Sequence, residues 1–152
     1  MTSQIKAPEL PPFDHKPKPY TGPSYEEVKQ MRETYLTPAL LTFYKQPIMI
    51  VEGSMQYLYD EKGRRFMDGI GGIVTVSVGH CHPYVTQKAI EQLQTLQHTT
   101  TIYYHPAIAE FGKALAEKLP KELSCIYFVN SGSDANDLAI MMSRLYTGNY
   151  DI

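Results

Sequence analysis

The chain has 152 residues, 43% of them hydrophobic and 20% charged, with a net charge of −2. That is enough length and apolar content for a domain with a real core. The near-neutral balance, without a basic block, leaves no electrostatic footprint for nucleic acid, and no apolar run reaches membrane-spanning length.

The first twenty residues carry five prolines and three lysines but no arginine. They read as an extended arm over 1–23, neither a signal peptide nor an Arg-rich transit peptide. Ser24 and Glu27 predict a capping box that opens a helix, with Tyr25, Val28, Met31 and Tyr35 on one face. Pro38 should end it. Three short extended runs follow, at 48–51, 55–59 and 65–67. Gly53-Ser54 and Asp60-Glu61-Lys62-Gly63 separate them, which is turn chemistry suited to a meander. A glycine-rich stretch, 69–72, then leads into the apolar run 73–78.

Two helices each begin with His-Pro, where proline at the first helical position loses no hydrogen bond. The first should turn Val85, Ala89, Leu93 and Leu96 inward, and the second Ile108, Phe111, Leu115 and Leu119. Pro120 closes the second. A strand is expected at 126–129, and Ser131, Gly132 and Ser133 turn it straight into a last helix. That helix places Ala135, Leu138, Ala139, Met142 and Leu145 on one face. Cys81 and Cys125 form no disulfide framework and point to a reducing compartment.

The order of elements implies an α/β chain: the arm at 1–23, a helix and small-domain meander at 24–82, and the start of a larger domain at 83–152. A helix–strand–helix unit with one strand cannot make a parallel sheet alone. The chain is therefore expected to be part of a longer architecture.

Ser131-Gly132-Ser133 is the most informative turn. A small-residue turn between strand and helix aims unpaired backbone N–H groups and hydroxyls at one point beside the positive end of a helix dipole. That is a site for a phosphate dianion. An ordinary N-cap is the competing reading, because Ser131 and Asp134 fit a capping box loosely.

Taken in order, Tyr59-Asp60 with Gly63 and Phe66-Met67-Asp68, then GIVTVSVGHCHP (72–83), then VNSGSDANDLAI (129–140) resemble the class III (omega) aminotransferases. These are pyridoxal-phosphate enzymes of fold type I. The resemblance covers about residues 38 to 152, and GIVTVSVGHCHP with HTTTIYYHP (98–106) is similar to the alanine–glyoxylate branch. A phospho-lyase branch of the same family is also similar.

The resemblance implies that Ser131, Gly132 and Ser133 hold the 5′-phosphate of pyridoxal 5′-phosphate, and that Ile73 and Phe43 line the substrate pocket. It implies amino acid and oxo-acid substrates, a homo-oligomer at full length and a mitochondrial setting, although no transit peptide is visible. Asp134 and Asp137 stand where the family pattern has glutamates, and both read as structural. Transamination needs a lysine that carries the cofactor and moves the proton. In the family that lysine lies beyond residue 152, so no catalytic residue is assigned here and the chain alone is expected to be inactive. A non-catalytic chain that only associates with full-length subunits is the alternative.

Other chemistries fit less well. In Gly79-His80-Cys81-His82 only His80 and His82 could share an ion, and no second pair stands at zinc-finger spacing. The plainer reading has His82 capping the Pro83 helix and His80 at the meander edge. Gly69, Gly71 and Gly72 lack dinucleotide-site spacing, and Ser131-Gly132-Ser133 is not a nucleophile elbow.

Overall fold

The computed structural model describes residues 10–151, so the arm's first nine residues lie outside it. The chain divides between Gln97 and His98 into two compact units. The division falls after the Pro83 helix, whereas the order of elements placed the expected boundary at 82/83.

The first unit runs α1 (Tyr25–Tyr35), β1 (Ile50–Ser54), β2 (Tyr57–Asp60), β3 (Arg65–Met67), a single turn α2 (Gly71–Val74) and α3 (Pro83–Thr95). The α1 capping box forms in both directions between Ser24 and Glu27. The strands make an antiparallel meander in the order β1-β2-β3, with Gly53 opposite Leu58 and Leu58 opposite Phe66. The β2–β3 turn closes on Asp60. Its carboxylate accepts the Lys62 and Arg64 N–H groups at 3.0 and 2.8 Å, and the Arg64 Nε–H at 2.6 Å. Burial alone would raise the pKa of Asp60, but these donors outweigh it and hold the carboxyl below its ordinary value.

Tyr57, Tyr59 and Asp60 form the buried centre of this unit. The described part of the arm covers them. The Phe13 ring lies 4.9 Å from that of Tyr57, and the His15 ring 5.4 Å from that of Tyr59. Arg65 stacks over Tyr57 at 4.6 Å and donates to the Pro11 carbonyl at 3.0 Å. Aromatic and cation–π contacts of this kind add to the apolar burial.

The second unit holds α4 (Pro106–Ala116) and α5 (Gly132–Thr147). His105 caps α4 by accepting the Ala107 N–H on Nδ1. Gly148, in the left-handed region, ends α5. Phe111 of α4 stacks on Phe128 at 5.4 Å.

Two expectations need correction. Residues 126–129 are not a strand, because a ladder needs a neighbour and the described residues of this unit supply none. The helix faces expected to point inward are open: Val85 and Leu93 on α3 and its C-cap Leu96 are exposed, as are Ile108 and Phe111 on α4 and Leu119 beyond it. Periodicity marked these faces as apolar, but nothing among the described residues covers them. No helix among the described residues is long and apolar enough to cross a membrane.

Candidate functional site

Ser131 is the N-cap of α5, with extended backbone at φ −156° and ψ 166°. Its Oγ accepts the Asp134 N–H at 3.1 Å, and its carbonyl accepts the Ala135 N–H at 3.0 Å. Asp134 makes no return bond to the Ser131 N–H among the described residues, so only half of a capping box forms. An aspartate is one methylene shorter than the glutamate that normally reaches back.

This leaves the Gly132 and Ser133 N–H groups, with the Ser133 hydroxyl, without partners among the described residues. A side chain built on Gly132 would meet nothing within 4 Å. Free donors, an open approach and the positive end of a sixteen-residue helix are together what a phosphate group requires. The residues fit the phosphate of pyridoxal phosphate. Asp134 stands in the first turn, where it favours the helix dipole and opposes an anion.

Ile73 and Phe43 lie in the first unit, and Ser131, Gly132 and Ser133 in the second. Phe43 is 99% exposed and Ile73 is 77% exposed. Ile73 sits in a left-handed turn, with φ near +60° at Gly71, Gly72, Ile73 and Val74 alike. For β-branched residues such backbone costs on the order of 1–3 kcal/mol each, and it persists only where surroundings impose it.

Asp68 holds the amides that lead into this turn, and the Val74 N–H donates to the Ile70 carbonyl at 3.0 Å. The Asp68 Oδ1 accepts the Ile70 and Gly71 N–H groups at 3.0 and 2.9 Å, and its Oδ2 accepts the Gly72 N–H at 3.0 Å. The His80 Nε2 stands 2.8 Å from the same Oδ2. The His80 ring first, then the Ile70 N–H, holds the Asp68 carboxyl below its ordinary pKa. In the sequence Asp68 stands out only as the end of Phe66-Met67-Asp68. An aspartate just ahead of a glycine-rich run was the available signal, since such residues bind the backbone two residues on.

His80 lies at the meander edge, where its backbone exchanges two hydrogen bonds with Met55 at 2.7 and 2.8 Å. His82 corrects the capping expectation: it precedes α3, but its side chain makes no cap bond and its buried Nδ1 has no partner among the described residues. At ψ 123° the His82 backbone starts the helix, while proline at the next position removes one N–H that a cap would serve.

The family model described as Aminotransferase class-III matches residues 42–150. Over 143 residues the chain is 50% identical to alanine–glyoxylate aminotransferase 2 homolog 2, mitochondrial, of Arabidopsis thaliana, covering 94% of this chain and 30% of that protein. The human alanine–glyoxylate aminotransferase 2, mitochondrial, is 42% identical over 145 residues, covering 95% of this chain and 28% of that protein. Among solved structures, an Arthrobacter phospholyase in complex with phosphoethanolamine is similar at TM-score 0.73 and 33% identity, over 82% of this chain and 28% of that one. The chain spans under a third of the length of these relatives. Its fold is a partial α/β assembly of the fold type I aminotransferases.

Proposed function

The chain belongs to the class III aminotransferases, and we propose that it supplies the phosphate-holding turn and one wall of the substrate pocket in a pyridoxal-phosphate-dependent alanine–glyoxylate transaminase. The observation that carries this reading is the pair of free N–H groups at Gly132 and Ser133, within a stretch matched by the family. When bound, pyridoxal phosphate supplies the electron sink that lets an amino group pass from alanine to glyoxylate.

The chain's own residues bind and orient. The Gly132 and Ser133 N–H groups and the Ser133 hydroxyl would receive the phosphate. The Ser131 Oγ accepts the Asp134 N–H and fixes the shape of the turn, and its own O–H would donate to the phosphate as well. Charge-assisted bonds of this kind contribute roughly 1.5–3 kcal/mol each, which suits anchoring by the phosphate. Ile73 and Phe43, both exposed, would face the amino donor. The mitochondrial designation of the relatives supports the same compartment, and dimerisation through the open apolar faces would complete the site.

Two other readings have specific support. The exposed faces of α3 and α4 favour a chain that only associates with full-length subunits. The similarity to a phospholyase favours elimination from a phosphorylated amine. One assay separates the three. The intact enzyme is given alanine with glyoxylate, or phosphoethanolamine alone, and pyruvate and inorganic phosphate are measured. Alanine-dependent pyruvate supports the proposal; phosphate release without pyruvate overturns it in favour of the lyase. If neither forms while the 152-residue chain captures intact subunits, association alone is the function.

A further inference from the structure

We propose that Asp68 and His80 form a positioning pair that sets the left-handed turn carrying Ile73, and through that turn the choice of amino donor. The second half rests on the reading of Ile73 as a pocket residue. Both residues are pinned to the meander. The Asp68 N–H donates to the Gln56 carbonyl at 3.0 Å, and His80 is bridged to Met55 through both its backbone groups. The segment between them is therefore a loop with two fixed ends, and the carboxylate is the tie across it.

The chemistry suits an aspartate and a histidine. An ionised carboxylate offers about four acceptor positions, and here it meets three backbone N–H groups and one ring nitrogen. An asparagine would place an amide NH₂ against donors. Both side chains are largely withdrawn from water, at 10% and 19% exposure, so solvent competes weakly for these bonds.

Two glycines allow the approach. A Cβ on Gly53 would sit 2.9 Å from the His80 Cβ, and one on Gly79 would sit 2.9 Å from the Met55 Cα. Gly79 also has φ +105°, which other residues rarely adopt. The strained positions at Ile73 and Val74 follow directly after the three tied amides. The tie is what imposes the strain, and the strain is what fixes the direction of Ile73.

The test compares the intact enzyme with its Asp68→Asn, His80→Ala, His80→Gln and Ile73→Ala variants. Amide exchange is read at Ile70, Gly71 and Gly72, with Leu58 and Phe66 as folding controls, and KM and kcat are measured for amino donors of increasing size. Asp68→Asn should speed exchange of the three amides roughly ten- to a hundredfold while the controls stay protected. It should also reorder donor KM values in the direction of Ile73→Ala, with kcat for the smallest donor little changed. His80→Gln, which keeps a donor, should retain more of the order than His80→Ala. If Asp68→Asn does not fold, the two His80 variants carry the same comparison.

Unchanged exchange at the three amides overturns the proposal. So does a loosened turn with donor order altered only by Ile73→Ala. If the turn loosens and no variant, Ile73→Ala included, reorders donors, the pocket reading of Ile73 falls and the donor-choice half falls with it, while the tie itself stands.

Discussion

His15 and Glu52 join the arm to the sheet: the His15 Nε2 lies 2.5 Å from the Glu52 Oε1, across 37 positions of sequence. The other Glu52 oxygen accepts the Lys18 N–H at 2.9 Å. One carboxylate on β1 thus holds two points of a chain that would otherwise leave Tyr57 and Tyr59 open to water. A proline-rich arm loses less conformational entropy on docking than a flexible one, so a small number of ties suffices.

Glu52→Ala should release this arm. The Lys18 N–H first, then the His15 ring, holds the Glu52 carboxyl below its ordinary pKa. Stability from a lowered carboxyl is fully present above the unfolded value, about 4.3, and is lost as pH falls through the folded one. The arm should stay docked from neutral pH down to about that point and detach below it. Burial raises the Tyr59 pKa, so release should bring its ionisation back toward the ordinary tyrosine range. Tyrosinate absorbance of Glu52→Ala, differenced against Tyr59→Phe, reads this. An unshifted Tyr59 would show that the arm holds by its rings alone.

The isolated chain should associate. Apolar side chains on α3, α4 and α5 are exposed, and the buried centre of the described residues is confined to Tyr57, Tyr59 and Asp60. Complete domains hold only on the order of 5–15 kcal/mol of net stability. So small a centre should fall short of that. Strong binding of a hydrophobic dye and concentration-dependent size in sedimentation are expected. A monodisperse monomer with a sharp cooperative melt would contradict this.

Ile73→Ala should change donor ranking and leave cofactor affinity nearly untouched. A side-chain methylene more or less in a pocket shifts discrimination by about 1–3 kcal/mol, or roughly ten- to two-hundredfold. Donor profiles at saturating pyridoxal phosphate, beside a cofactor titration, check both halves. Loss of cofactor affinity equal to the loss of donor discrimination would move Ile73 out of the pocket.

Local signals carried much of the fold. Ser24 with Glu27 and the two His-Pro pairs located the starts of α1, α3 and α4, because a cap or a proline at the first helical position acts within one turn. The meander was legible from its turns, although β1 and β2 begin two residues later than the apolar runs suggested. What lay beyond reach was non-local. Whether 126–129 pairs as a strand depends on a neighbour, and whether Leu93 or Ile108 is covered depends on a partner face. At the turn, Ser131 and Gly132 stood out as small residues opening a helix, a pattern that an ordinary N-cap shares. Asp68 did not, because its role depends on three amides leading into a left-handed turn at 71–74 that no propensity of isoleucine or valine predicts.

The most direct test of the phosphate turn is the affinity of the intact apo-enzyme for pyridoxal phosphate against pyridoxal, which lacks the phosphate, measured for wild type and Gly132→Val. The backbone at Gly132 is not left-handed and open space surrounds it, so the valine should fold and fill the approach instead. The turn predicts that wild type prefers pyridoxal phosphate strongly. Losing one or two phosphate bonds should weaken that preference about ten- to several-hundredfold in the variant while pyridoxal affinity changes little. An undiminished preference for pyridoxal phosphate in Gly132→Val would mean that the turn caps a helix and holds no phosphate.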